Sequence, residues 1–285
     1  MIRATVTRAT LLAFALSLVA GCTPDRSPRG DSRERLMTRW DDSDWAQVLK
    51  AVVTPDGHVR YKPLAANERG VRQKLDRYRT HIARVSPESR PDLFPYETDR
   101  LAYYINAHNA LALSEALRIY EDETEGGGPR VEAREALRLF EMAVEREFDV
   151  GGARTTLDAL ANDHIRPRGD PRALLALSSM SRGSPPLRAE PYRGPDLDRQ
   201  LGEQATRFLS DPRGAKPGED GTVALSELIT QFLSIDLADA YERRTGVRSE
   251  NPLDWVAAYA SETSAVRNAR KFVTMPFDWA LNRAD

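Results

Sequence analysis

The chain has 285 residues, with 41 Lys and Arg against 43 Asp and Glu, which gives a formal net charge of −2. This balance argues against a nucleic-acid-binding protein, because such proteins gather a surplus of basic residues on one face. Hydrophobic residues make up 41% of the chain, as in an ordinary globular domain, and the single cysteine, Cys22, excludes an intramolecular disulfide and a thiolate metal cluster.

The first 22 residues have the pattern of an export signal. Arg3 and Arg8 form a basic region, residues 9–20 are mostly apolar, and Gly21 precedes Cys22. The apolar run is too short to be a comfortable membrane span. The sequence therefore predicts a signal peptide over residues 1–21. Cys22 could be an acylated anchor, as the next motif indicates; the alternatives are an ordinary signal-peptide residue and a buried thiol.

The end of this segment, Leu18-Val19-Ala20-Gly21-Cys22, resembles the lipobox of bacterial lipoproteins. The resemblance implies that Cys22 is acylated and becomes the mature N-terminus. Two or three acyl chains are enough for stable attachment to a bilayer. We therefore expect an exported protein whose N-terminal lipid anchors it to the cell envelope, at the periplasmic face of the outer membrane in a Gram-negative organism.

The rest of the chain is predicted to be a tether followed by one domain. Residues 22–39 are expected to be a lipidated, flexible tether, since residues 23–33 are polar and contain Pro24, Pro28 and Gly30. No low-complexity break divides residues 40–285, which suits a single globular domain. The predicted fold class is α+β, a predominantly helical domain with a small, largely antiparallel sheet and a hairpin.

Periodicity predicts the elements in chain order. Apolar residues at helical spacing predict helices over 40–53, 99–120, 131–142, 197–208 and 228–244. Strands or extended segments are predicted over 59–61, 223–225 and 272–275, and a hairpin over 147–155. Residues 173–177 are a candidate buried strand whose length does not distinguish it from a helix, and residues 121–129 are predicted to be an acidic, glycine-rich loop.

Five motifs follow one another in the order of a known family. They lie at residues 56–61 (DGHVRY), 101–111 (LAYYINAHNAL), 150–167, 181–188 (SRGSPPLR) and 276–282 (PFDWALN). Together they resemble the family catalogued as domain of unknown function 547 over about residues 45–282. The family's function is unsettled, so the resemblance implies a relationship and not a reaction.

Three positions depart from the family pattern. Many bacterial members carry a cysteine where Ser184 stands, a histidine where Ser114 stands and a Glu-His pair at Ala161-Asn162. In those members a cysteine beside a histidine and a carboxylate implies nucleophilic catalysis. A serine hydroxyl needs a stronger base than a thiol does, and here the histidine is missing too. We therefore predict a divergent, non-catalytic member and assign no catalytic residue.

No other set of residues in the sequence replaces the missing cysteine and histidine as a catalytic site. The four histidines (His58, His81, His108 and His164) do not stand at metal-ligand spacing, so neither a metal nor another cofactor is predicted. Asp163-His164 is a possible acid–base unit for Ser181 or Ser184. The alternative is a surface histidine and serines that only shape a turn.

The loop 181–188 is the candidate site for a ligand or partner. It contains Ser181, Arg182, Gly183, Ser184 and Arg188, and the two arginines offer forked donors suited to a carboxylate or a phosphate. The alternative is that an arginine pairs with an internal carboxylate and fixes the loop.

Asn106, His108 and Asn109 are the candidate pocket wall, because they lie on one predicted helix. The two asparagines share a face, where their amides either hold the backbone of a neighbouring loop or contact a substrate.

Three classes of function remain open. The leading one is an envelope lipoprotein that binds an envelope protein or a small anionic ligand through the loop 181–188, without chemistry. The second is a hydrolase with Ser184 in place of the family's cysteine, and the third is a scaffold without a ligand site. The membrane is an expected partner through the N-terminal lipid, and nucleic acid is not expected.

Overall fold

The structure is a computed structural model that describes residues 38–124, 138–139, 141–142 and 144–284. Helices predominate over strands in this part of the chain, so the predicted α+β class is confirmed. The predicted signal peptide, Cys22, most of the tether and most of the helix over 131–142 lie outside the described residues. Among the helices described, none combines the length and the apolar character needed to cross a bilayer.

The α-helices with defined bounds are α1 (Ser43–Val52), α2 (Tyr61–Ala65), α3 (Val71–Arg84), α4 (Glu97–Thr124), α5 (Leu157–Ala159), α6 (Pro171–Leu174), α7 (Leu197–Ser210), α8 (Ser234–Thr245), α9 (Pro252–Ala257) and α10 (Ala265–Asn268). Helices α1, α4, α7 and α8 agree with predicted helices in place and order, whereas α3, one of the longest, was not predicted. Two π-helical segments, Leu160–Ile165 and Leu228–Phe232, follow α5 and precede α8.

Helix α4 is the centre of the core. Every residue from 101 to 113 is buried, so this stretch has no solvent face, as expected of a helix enclosed by the rest of a domain. Aromatic rings pack beside it: Phe94 meets Tyr103 at 5.0 Å between centroids, and Trp45 of α1 stacks on Tyr78 of α3 at 5.8 Å. The polar residues that α4 carries inside the core are therefore placed by packing on all sides.

In the part of the chain that the structure describes, five strands form two small sheets. Strands β1 (Glu147–Val150) and β2 (Ala153–Thr156) make the predicted hairpin, whose turn residues Gly151 and Gly152 have φ of 60° and 87°. The second sheet has the order β3-β4-β5, formed by Ala215–Pro217, Thr222–Ser226 and Lys271–Met275. Strand β4 is antiparallel to β3 and parallel to β5.

The candidate strand over 173–177 is instead the end of helix α6, which stops at Leu174, and the turn that follows it. Helix α6 begins at Pro171, where the side chain of Asp170 accepts a hydrogen bond from the N–H of Arg172 at 3.0 Å. An Asp N-cap followed by proline at the first helical position is a strong helix start. This helix-start signal outweighs the strand preference of the apolar residues 173–177, which pair with no strand in the described part of the chain.

Three other boundaries differ from the predictions. Helix α4 continues to Thr124 into the segment predicted as an acidic loop, because Arg118 pairs with Glu115 and Asp122 along the helix. Val59 makes isolated bridges, but α2 already begins at Tyr61. The helix predicted over 228–244 is divided into the π-helical segment and α8.

Candidate functional site

The loop 181–188 and the C-terminal motif 276–282 pair with each other. The backbone N–H of Arg182 donates to the carbonyl of Ala280 at 2.7 Å, and that of Gly183 donates to Asp278 at 2.8 Å. Ser181 and Leu281 form an antiparallel bridge between the two segments. A Cβ on Gly183 would lie 2.7 Å from the backbone nitrogen of Asp278, so only glycine permits this approach.

The motif 56–61 joins the same junction through Asn282. The Asn282 amide nitrogen donates to the carbonyl of Gly57 at 3.0 Å, and its oxygen lies 2.5 Å from Nδ1 of His58. Asn282 is fully buried, and both ends of its amide are used. Three of the five motifs that carry the family resemblance therefore meet at one place. Residues 56–58, 180–186 and 276–282 together form the motif junction.

A cavity of about 470 Å³ opens beside the motif junction. It is lined by Asp56, His58, Arg182, Gly183, Asp211, Pro212, Arg213, Lys216, Ser226, Met275, Pro276 and Asp278. Arg182 and Gly183 come from the predicted loop, whereas Arg213, between α7 and β3, and Lys216, on β3, were missed by sequence reasoning. This junction cavity combines cationic with acidic groups.

The acidic groups of the junction cavity are already engaged. Arg213 binds Asp211 through Nε and Nη2, both at 2.7 Å, and also donates to the carbonyl of Asp56 at 2.5 Å. Burial opposes the ionisation of Asp211, but the hydrogen bonds from Arg213 outweigh it and lower its pKa. A hydrogen bond from Thr54 lowers the pKa of the Asp56 carboxyl.

Two cationic side chains of the junction cavity, Arg213 and Lys216, are not fully engaged within the described residues. Nη1 of Arg213 is buried and has no hydrogen-bond partner there. Lys216 is exposed on β3 and makes no ion pair within the described part of the chain. A buried donor without a partner costs about 1–3 kcal/mol, and the exposed ammonium group of Lys216 is accessible to an oxygen atom brought into the cavity.

Ser181 and Ser184 are in a buried cluster of hydroxyls. Their Oγ atoms are 3.1 Å apart, and Oγ of Ser179 lies 2.6 Å from Ser181 and 2.7 Å from Ser184. Ser181 and Ser184 are 0% and 1% exposed. Within the described residues no histidine hydrogen-bonds to this cluster, and each serine hydroxyl instead satisfies another.

The structure places His164 elsewhere. Its ring stacks on Tyr104 at 4.2 Å between centroids, and Nδ1 lies 3.7 Å from a carboxylate oxygen of Glu88. Tyr104 donates its hydroxyl hydrogen bond to the same Glu88. The Asp163-His164 pair is therefore not joined by hydrogen bonds to Ser181 or Ser184, and its histidine belongs to a Tyr-Glu-His cluster on the outer side of α4.

Asn106 and Asn109 each hold a loop by its backbone. Asn106 donates to the carbonyl of Tyr192 at 2.8 Å and accepts from the N–H of Tyr192 at 2.9 Å. Asn109 donates to the carbonyl of Ala176 and accepts from the N–H of Ser178, both at 2.9 Å. The amides are thus occupied by the protein itself, as in the structural alternative considered for them.

His108 is buried beside Asn109. Its Nδ1 lies 3.2 Å from the side-chain oxygen of Asn109, and burial lowers the pKa of His108 to about 4. The imidazole is neutral at pH 7, so His108 supplies no positive charge to a ligand.

Arg188 is not brought to the junction cavity. Its guanidinium binds Glu190 at 2.5 Å and Glu203 at 3.1 Å and lies over the ring of Tyr192, with its side chain 12% exposed. These internal carboxylates fix the end of the loop, as in the alternative considered for an arginine. Of the two loop arginines, only Arg182 lines the cavity.

A second cavity, of about 420 Å³, contains an unusual carboxyl group. Oδ1 of Asp42 accepts hydrogen bonds from the Trp40 indole at 2.9 Å and the Tyr78 hydroxyl at 2.6 Å. Burial raises the pKa of Asp42 to about 6, although these hydrogen bonds and Arg193 act in the opposite direction. The carboxyl group is therefore costly to ionise in the folded protein.

This cost predicts a pH-dependent effect of Asp42→Asn. The folded protein binds the proton of Asp42 more tightly than the unfolded chain does. The contribution of Asp42 to the free energy of unfolding therefore falls as the pH rises from about 4 to about 6. The difference in free energy of unfolding, Asp42→Asn minus wild type, should thus become about 2 kcal/mol more positive across this pH range. Urea denaturation of both proteins at pH 4.5, 6 and 7.5 measures this difference. The titration of His108 has the opposite effect on stability, but it cancels in the difference because both proteins contain His108. A difference that stays constant with pH would contradict the raised pKa.

The comparisons with known proteins agree with the motifs. Residues 94–209 match the model of the family described as "Protein of unknown function, DUF547". The match supports the family resemblance and covers the motifs of α4, the hairpin and the loop 181–188, whereas the motifs 56–61 and 276–282 lie outside it. No curated protein and no solved structure matches the chain.

Proposed function

We propose that this protein is an exported lipoprotein whose domain binds an anionic group in the junction cavity without acting on it chemically. The observation that carries the proposal is the convergence of Arg182, Arg213 and Lys216 on one cavity, where Arg213 binds Asp211 and Lys216 makes no ion pair within the described residues. A carboxylate or phosphate oxygen is the group that such donors bind best.

One feature supports binding rather than scaffolding alone. The junction cavity is bordered by the motif junction, whose backbone pairing holds Arg182 and Gly183 in fixed positions before any ligand arrives. A preformed site loses little conformational entropy on binding. The ligand would be a small anion or an acidic group presented by an envelope protein.

The serine cluster gives less support to a hydrolase. Activation of a serine needs a base within hydrogen-bond reach, and the described neighbours of the Ser184 hydroxyl are two other serines. Solvent also reaches Ser184 poorly, since it is 1% exposed. The hydrolase therefore remains the second reading, with no described side chain that favours it over binding.

Titration with inorganic phosphate and with acetate tests anion binding. Two-dimensional amide NMR spectra of the full-length chain at constant ionic strength should give saturable shifts at Arg182, Gly183 and Lys216. Lys216→Ala should weaken the binding about fivefold, since it removes one charge-assisted hydrogen bond. The matched control is Lys50→Ala, at an exposed lysine of α1 away from the cavity. Shifts that do not saturate, or equal weakening by both variants, would reject the proposal.

The anchor is tested separately by mass spectrometry of the protein from membranes. Processing before Cys22 with acylation of its sulfur should be seen in the wild type and lost in Cys22→Ser. A Cys22→Ser protein that matures normally would reject the lipoprotein part of the proposal and leave the anion site untouched.

A further inference from the structure

Strand β5 lies at an open edge of its sheet. It pairs with β4 on one side, and in the described part of the chain no strand pairs with its other side. Residues 271–274 are all exposed, although Oγ1 of Thr274 donates a hydrogen bond to Oγ1 of Thr230 at 3.2 Å. The edge is therefore accessible along most of its length.

The register shows which backbone groups point outward. The N–H of Lys271 donates to the carbonyl of Gly221, the residue before its partner Thr222, at 3.4 Å. In a parallel ladder alternate residues face the same neighbour, so Lys271 and Val273 face β4. The N–H and C=O groups of Phe272 and Thr274 thus point away from the sheet.

Between Lys271 at its start and Pro276 after its end, this edge has no proline and no charged residue. Exposed edge strands are normally interrupted by proline, a bulge or inward-pointing charges, because an open edge pairs readily with other chains. Here Phe272 is 37% exposed and Val273 is 54% exposed on opposite faces of the strand. Apolar side chains beside unpaired backbone groups are what an added strand would use.

The charges within and just before β5 favour an acidic occupant, whereas Glu219 and Asp220 lie in the turn between β3 and β4. Arg267, Arg270 and Lys271 precede the apolar part of the strand and are exposed, and no acidic residue stands between Arg267 and Asp278. A second copy of β5 would bring the same basic residues and no acidic ones. An extended segment that carries acidic side chains would complement them.

We propose that the outer edge of β5 binds an extended, acidic segment of another protein as an added β-strand. The groups of Phe272 and Thr274 supply the main-chain hydrogen bonds, Phe272 and Val273 contact alternate side chains of the segment, and Arg270 and Lys271 bind its carboxylates. This surface is distinct from the cationic donors of the junction cavity, so it does not depend on anion binding there.

Model peptides test the added strand. The probes are a blocked peptide of alternating valine and glutamate and, as the charge control, one of alternating valine and lysine. With the full-length chain, the glutamate peptide should protect the amides of Phe272 and Thr274 from hydrogen exchange in a saturable way. The lysine peptide should not do so. Equal protection by both peptides, or by neither, would overturn the proposal.

Two variants at Phe272 separate backbone pairing from side-chain contact. Proline is tolerated at a sheet edge where its missing N–H faces outward, so Phe272→Pro should keep the pairing of β4 with β5. Phe272→Pro removes one more hydrogen bond to the peptide than Phe272→Ala does. It should therefore bind the peptide about fivefold more weakly than Phe272→Ala. Thr274→Pro repeats the test if Phe272→Pro lowers the melting temperature. Equal binding by the alanine and proline variants would refute main-chain pairing.

Other occupants give other outcomes. Protection of Phe272 and Thr274 that rises with protein concentration alone, together with a dimer in sedimentation, would assign the edge to a second copy and overturn the proposal. A third outcome is binding to anionic vesicles without binding of the peptide. If Lys271→Glu abolishes the vesicle binding and Phe272→Pro leaves it unchanged, the edge would be assigned to a lipid surface and the proposal would be overturned. Lys216→Ala should leave peptide binding unchanged.

Discussion

Replacing Asn109 with alanine is expected to lower the free energy of unfolding by about 3 kcal/mol. The side chain is 2% exposed and holds the carbonyl of Ala176 and the N–H of Ser178, each at 2.9 Å. Alanine would leave both backbone groups buried without a partner and open a small cavity in the middle of α4. Each unpartnered group costs about 1–3 kcal/mol, so the sum is a large part of the stability of a domain.

The control for this prediction is Asn162→Ala. Asn162 also donates a side-chain hydrogen bond, to Asp158 at 2.9 Å, but the bond is exposed and its loss should cost no more than about 0.5 kcal/mol. Urea denaturation at pH 7, followed by circular dichroism, measures both variants. A loss in Asn109→Ala as small as that in Asn162→Ala would mean that Asn109 does not support the loop that leads to the motif junction.

The helices could be predicted where local pattern and packing agree. Helix α4 could be predicted because its apolar positions recur at turn spacing, and the pair Asn251-Pro252 in the sequence suits the cap and first residue that α9 has in the structure. Residues 173–177 could not be assigned, because a run of five apolar residues suits a strand and a helix equally. The deciding signal was the Asp170-Pro171 start just before them.

The candidate site was predicted only in part, because its members are far apart in the sequence. Arg182 and Gly183 were found through the loop motif, and His58 stands in a motif that was noted without a role. Arg213 and Lys216 follow α7 in a segment without periodicity or a family motif, and the path of the chain alone brings them to the cavity. The asparagines illustrate the same limit: their spacing indicates a shared face, but the loops that they hold cannot be read from it.

Replacing Gly57 with alanine is expected to destabilise the protein by about 3 kcal/mol and to disrupt the junction cavity. Gly57 has φ of 81°, a left-handed conformation that costs a residue with a side chain about 1 kcal/mol. In addition, a Cβ would lie 2.6 Å from Cβ of Pro186, and such overpacking costs about 1–3 kcal/mol. Relief of this clash would separate the loop 181–188 from the motif 56–61.

Gly152→Ala separates the two costs of this change. Gly152 has a similar φ of 87°, but a Cβ there would meet no atom within 4 Å, so only the conformational cost of about 1 kcal/mol should remain. The difference between the variants in urea denaturation should therefore be about 2 kcal/mol. Because Asn282 holds the carbonyl of Gly57 and the ring of His58, Gly57→Ala should also weaken phosphate binding, and Gly152→Ala should not. Equal losses of stability in the two variants, with phosphate binding unchanged, would show that the contact between Gly57 and Pro186 does not hold the motif junction together.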